Sequence, residues 1–105
     1  MNKKVSQKLN EIADLLDIKG GHLYRIRAYR KASEAVLGLN DDIGTIYEES
    51  GLKGIIKIKG IGESIALKIE EYLKKGKIKY LEELKEETEI RQVVTHYFKT
   101  KGISL

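Results

Sequence analysis

Ile58-Lys59-Gly60-Ile61-Gly62-Glu63-Ser64-Ile65-Ala66-Leu67-Lys68-Ile69 is the stretch whose reading decides the fold. Two glycines one residue apart allow a tight turn and a close approach to another surface. Beyond Gly62 the pattern is that of an amphipathic helix, with Ile65, Ile69, Tyr72 and Leu73 on one face. A glycine turn that opens a helix offers unpaired backbone N–H groups to an anion. In a chain with 20 Lys and Arg against 16 Asp and Glu, a net charge of +4, the expected anion is a phosphate.

Outward from this stretch the chain reads as short helices separated by glycine. Val5, Leu9, Ile12, Leu15 and Leu16 predict a helix over 3–18, stopped by Gly20-Gly21. Ala28, Ala32, Ala35, Val36 and Leu39 mark a second over 23–37. Its alanine stripe suits close packing, and its other face carries Arg27, Arg30, Lys31 and Glu34. A third, capped by Asn40 or Asp41, carries Ile43, Ile46 and Tyr47 and closes at Gly51; 52–57 add one more helical turn. After the helix over 62–75 and its stop at Gly76, short helices are expected over 78–87 and 89–100. Val93, Val94, Tyr97 and Phe98 form an apolar stripe on the last, expected to cover the core in preference to the alternative of a dimer or partner surface, with His96 partly buried among them. No stretch alternates as a strand does. The expectation is a single all-α domain over 1–105, a bundle of four to six short helices with one helical hairpin.

Composition narrows function further. The 105 residues include no Cys, which removes disulfides, thiolate zinc sites and cysteine nucleophiles. His22 and His96 have no ligand-spaced companions, so no transition-metal site is expected. No apolar run has membrane-spanning length and the first residues lack a signal-peptide pattern, so a cytoplasmic protein with no membrane partner is expected. Charge alternates in blocks: +4 over 19–40, −4 over 41–50, +5 over 51–80 and −1 over 81–105. A fold that joins the two basic blocks makes a phosphate-binding face.

The turn fits the helix-hairpin-helix pattern. Its N–H groups contact phosphate oxygens of one strand without reading bases, so binding is sequence-tolerant and salt-sensitive. Lys57, Lys59, Gly60, Ile61, Gly62 and Ser64 are the candidate contacts here, joined by Arg25, Arg27, Arg30 and Lys31 of the second helix. Tyr24 and Tyr29 lie in that basic helix, where stacking on a base or sugar is available.

Arg27-Ala28-Tyr29-Arg30-Lys31-Ala32, then Ile58-Lys59-Gly60-Ile61-Gly62, then Gly76-Lys77-Ile78 resembles the amino-terminal domain of family X DNA polymerases, of which DNA polymerase beta is the best-known member. The resemblance covers about 3–87; residues 88–105 lie outside it. It implies a lyase-type domain for base excision repair that binds DNA at gaps, nicks or single-strand/double-strand junctions and engages a 5′-phosphate. It implies no polymerase activity for this chain. A monomer is expected, with a polymerase or another repair protein as its protein partner. In the family a lysine after the hairpin forms a Schiff base with the abasic sugar, and β-elimination follows, which makes the chain a candidate 5′-deoxyribose phosphate lyase. The matching position is Lys68; on its own pattern it is a solvated lysine beside Ser64 and Glu71. Tyr29 and Arg25 match positions that orient the sugar and bind the phosphate. Departures are Tyr24 for a histidine, Ile56, Ser64 and Tyr80 for lysines, and Leu67 for an acid. The resemblance further implies Na+ or K+ at the backbone carbonyls of Ile56, Ile58 and Ile61, and no other cofactor. The alternatives to a lyase are a DNA-binding module without catalysis, and an interaction domain whose basic face serves a protein or RNA.

Overall fold

In the computed structural model, which describes the backbone of residues 1–100 and the side chains of residues 1–89, five helices follow one another and no strand occurs among the described residues. Helix α1 spans Asn2–Lys19 and buries Val5, Leu9, Ile12, Ala13 and Leu16 along one face. It ends at Gly20, where φ is 83°, with Gly20 N–H donating to the Asp17 carbonyl at 3.1 Å and Gly21 N–H to Leu16 at 2.8 Å. That pair of bonds is a Schellman stop, which only a residue at ease with positive φ completes.

Helix α2, Leu23–Leu37, turns back on α1. Ser33 faces Ser6 while Arg30 reaches Asn10 and Asp14, so the two helices run antiparallel. The Ser6 and Ser33 hydroxyls bond one another and Ser33 also donates to the Ser6 carbonyl at 3.0 Å, which satisfies the buried polar atoms in this otherwise apolar seam. Ala32, fully buried, lets the helices approach.

Helix α3, Ile43–Ile56, is broken at Gly51 (φ 65°, ψ −157°), so the expected short helix and the extra turn after it both form. Its cap is Asp42 rather than Asn40 or Asp41: Asp42 has the extended backbone of a cap and accepts the Gly44 N–H at 2.9 Å. Helix α4, Glu63–Lys75, presents Ile65, Ala66 and Ile69 inward and stops at Gly76 (φ 75°). The Tyr47 hydroxyl donates to Glu70 at 2.6 Å and fastens α3 to α4. Helix α5, Lys79–Thr100, is continuous where two helices were expected. Glu86-Glu87-Thr88-Glu89 contains no glycine or proline to break it, and Thr88 returns its hydroxyl to the Leu84 carbonyl at 2.8 Å instead of competing for a turn. Leu81 and Leu84 are buried, and Lys19–Glu87 (2.8 Å) and Lys85–Glu11 (3.6 Å) flank the seam with α1. The expected apolar stripe at Val93, Val94, Tyr97 and Phe98, with His96, lies outside the described side chains. Among the described residues no helix is long and apolar enough to cross a membrane.

Candidate nucleic-acid interface

The turn between α3 and α4 is closed by its own backbone: Ile58 N–H donates to Ile55 at 3.1 Å and Ile61 N–H to Ile58 at 3.2 Å. Gly60 makes the reversal at φ 100°. Its α-carbon lies so close to α2 that an added Cβ would meet the Ala35 Cβ at 3.2 Å and the Lys31 Cγ at 3.7 Å. Ile61 points into the core with 5 % of its surface exposed and pins the turn from beneath.

Gly62 is the N-cap of α4 and has no side chain to cap it, so the first helical amides, at Glu63, Ser64 and Ile65, have no intrahelical acceptor. Its φ and ψ (−81°, 167°) are open to any residue, and an added Cβ would meet nothing within 4 Å. Among the described residues nothing requires glycine there; it leaves the amides open to an outside acceptor.

The residues that carry these amides line, together with part of α2, a cleft of about 490 Å³. One wall is Tyr24, Arg25, Ala28, Tyr29 and Lys31; the other is residues 60–65. The docking of Gly60 on α2 thus joins the two basic blocks. Tyr24 stands 76 % exposed at the rim, whereas Tyr29 is nearly buried in the wall. Burial, first, and then the neighbouring Tyr80 push the Tyr29 phenol up from 10.0 to about 12, against an opposing pull from Arg25. Tyr29 is therefore a neutral hydroxyl at any physiological pH.

Of the residues expected at the site, Arg25, Tyr29, Lys31, Gly60, Ile61, Gly62 and Ser64 line this one cleft. Lys57 and Lys59 are exposed on the hairpin and Arg27 on α2, outside the lining. Arg30 turns away to α1, donating to Asp14 and, at 3.2 Å, to Asn10 Oδ1. The Ile58 carbonyl already accepts the Ile61 amide, while those of Ile56 and Ile61 accept no backbone bond among the described residues.

Lys68 is not in the cleft lining. It sits one turn along α4 from Ser64, half-buried, and donates to the Ser64 hydroxyl at 3.3 Å. Its ammonium lies 5.2 Å from the centroid of the Tyr80 ring, and the Arg25 guanidinium lies 5.8 Å from the same centroid. Burial and then the Arg25 charge lower the Lys68 pKa below 10.5, opposed by Glu71. A lysine held this way is more readily neutral, the state a nucleophilic amine needs. Tyr80 was marked in the sequence only as a departure. Its contacts join α2, α4 and α5, and no local pattern discloses such a meeting.

No curated protein gives a match to this sequence. The profile of the helix-hairpin-helix domain family matches residues 1–78, which takes in the hairpin, α2 and the whole cleft. With the glycine turn, the bare helix amides and the basic wall opposite them, this chain belongs to the helix-hairpin-helix domain family.

Proposed function

We propose that the chain binds DNA without reading its sequence, preferring gaps, nicks and 5′-phosphate ends, as an amino-terminal domain of the family X polymerase type acting in base excision repair. Helix-hairpin-helix domains generally bind DNA. The observation that carries the reading is a cleft lined both by the residues that open α4 with uncapped amides and by Arg25 and Lys31 of α2. Amides suit the phosphate of one strand, and the cations supply salt-sensitive attraction without base readout. Neutral carbonyls in a tight turn suit a hard monovalent cation. Ile56 and Ile61, with the second lone pair of Ile58, are the oxygens that would hold Na+ or K+ beside that phosphate.

Within this reading Lys68 is the nucleophile of a 5′-deoxyribose phosphate lyase. Its neutral amine adds to the aldehyde carbon of the opened abasic sugar and water leaves, forming an imine. Loss of a proton from the adjacent carbon to water then expels the 3′ phosphate by β-elimination, and hydrolysis of the remaining imine frees Lys68. Tyr29, kept neutral, would donate a hydrogen bond to the sugar. The second reading, a DNA-binding module without catalysis, draws on the position of Lys68 outside the cleft lining.

Two measurements test these readings. Titration of gapped, nicked and intact duplexes, with and without a 5′-phosphate, should show tighter binding to the gapped 5′-phosphate duplex. Equal affinity for all of them defeats the end preference, and binding indifferent to salt defeats the DNA reading. Borohydride treatment with a 5′-deoxyribose phosphate duplex should yield a covalent adduct that Lys68→Ala loses. Retained gap binding with no adduct selects the module.

A further inference from the structure

Tyr80 stands outside the cleft wall, yet it touches two cations beside it. Gly76 turns the chain after α4, and the Glu71 carboxylate then accepts the Lys79 N–H at 2.9 Å, fastening the first amide of α5 to α4. Ile78, Leu81 and Leu84 are buried and fix the rotation of α5. Tyr80 is left half-buried on the flank toward α2 and α4. There its hydroxyl accepts a hydrogen bond from Arg25 Nη2 at 3.3 Å, and its ring lies within 6 Å of both Arg25 and Lys68.

Two cations held side by side repel each other, and neither Arg25 nor Lys68 has a carboxylate ion pair among the described residues. The electron-rich ring attracts both at these distances, and the hydroxyl oxygen adds an acceptor for Arg25. We propose that Tyr80 is a positioning residue: its ring and hydroxyl hold Arg25 and Lys68 together at the edge of the cleft, so that the Arg25 charge meets a DNA phosphate there with the Lys68 amine beside it. The phosphate rests on the function proposed above; the holding of the two side chains does not.

The test compares Tyr80→Phe and Tyr80→Leu in the full chain. Without DNA, the Lys68 ε-methylene protons, assigned by their loss in Lys68→Arg, should show the ring-current shift of a neighbouring aromatic. Tyr80→Phe should keep the shift and Tyr80→Leu should lose it, with the chain still folded by circular dichroism. If Tyr80→Leu fails to fold, the Phe variant decides through Arg25. Its guanidinium Nε–H resonance must change while the Lys68 shift persists, and an unchanged Arg25 overturns the proposal. No ring-current shift in the native chain also overturns it. With gapped DNA, Tyr80→Leu should reduce the preference for a 5′-phosphate over a 5′-hydroxyl about fivefold, the scale of one cation–π contact. Tyr80→Phe should retain most of it. An unchanged preference in Tyr80→Leu, where Arg25→Ala loses it, overturns the role. Absence of the preference from the native chain counts against the function itself, and the ring-current comparison then judges Tyr80 alone.

Discussion

Gly60 rests on Ala35 so closely that one added methyl would lie 3.2 Å from the alanine Cβ. The contact carries the hairpin onto α2 and so builds the cleft. Gly60→Ala should cost about 2 kcal/mol, since a side chain at φ 100° is strained and the crowding falls on the Ala35 Cβ, which has no rotamer to move it aside. Thermal melting measures it; a loss below a few tenths of a kcal/mol would mean the turn relaxes freely.

Gly62 should behave in the opposite way. Space beside it is open and its backbone is that of an N-cap, so Gly62→Ser should hold or raise the melting temperature. The new hydroxyl would take the Ser64 or Ile65 amide for itself. Affinity for DNA should therefore fall while stability does not, and undiminished affinity would show that these amides do not serve the phosphate.

Charge on α2 and on the hairpin should be readable in salt. Lys31→Ala, Lys57→Ala and Lys59→Ala should each lower the slope of log affinity against log salt by about one where the side chain meets a phosphate. Arg30→Ala should leave the slope alone, because its guanidinium is engaged by Asp14 and Asn10 on α1. Its stability cost should be under about 1 kcal/mol, as for other exposed pairs.

Tyr29 makes the fold sensitive to alkali. Its folded pKa of about 12 lies above the ordinary 10.0, so the folded chain keeps a proton that the unfolded chain gives up. The stability this provides is complete below pH 10 and is lost as pH rises toward 12. Lys68 acts in the other sense. Its folded pKa lies below 10.5, so its penalty is present in full at neutral pH and is relieved as pH rises through the folded value. Denaturant midpoints of the native chain should fall steeply above pH 10, and Tyr29→Phe should flatten that fall.

In the α1–α2 seam, Ser33→Ala should cost about 1–2 kcal/mol by leaving the buried Ser6 hydroxyl without its partner. Replacing Ser6 and Ser33 together should cost less than the sum of the single changes, measured as a double-mutant cycle.

Much of the fold was legible because helix, glycine and stop are local events. The Gly20-Gly21 stop, the break at Gly51 and the turn at Gly60 each follow from one residue's tolerance of positive φ. The join across Glu86–Glu89 was misread, since a charged run without glycine sustains a helix as readily as it ends one. Asp42 was missed as a cap because three candidates stand in a row, and only the backbone tells which residue is extended.

The site divides along the same line. By itself the sequence determined that a glycine turn opens a helix and that basic residues gather in two blocks, because spacing and composition are properties of the chain alone. Tertiary structure decided which of those residues share a place. Gly60 against Ala35 brought Arg25 and Lys31 opposite the α4 amides, while the packing of α2 on α1 drew Arg30 away. Burial of Ile78, Leu81 and Leu84 set Tyr80 against both Arg25 and Lys68. Such meetings depend on helix rotation and crossing, which the whole core fixes at once and no single stretch of sequence contains.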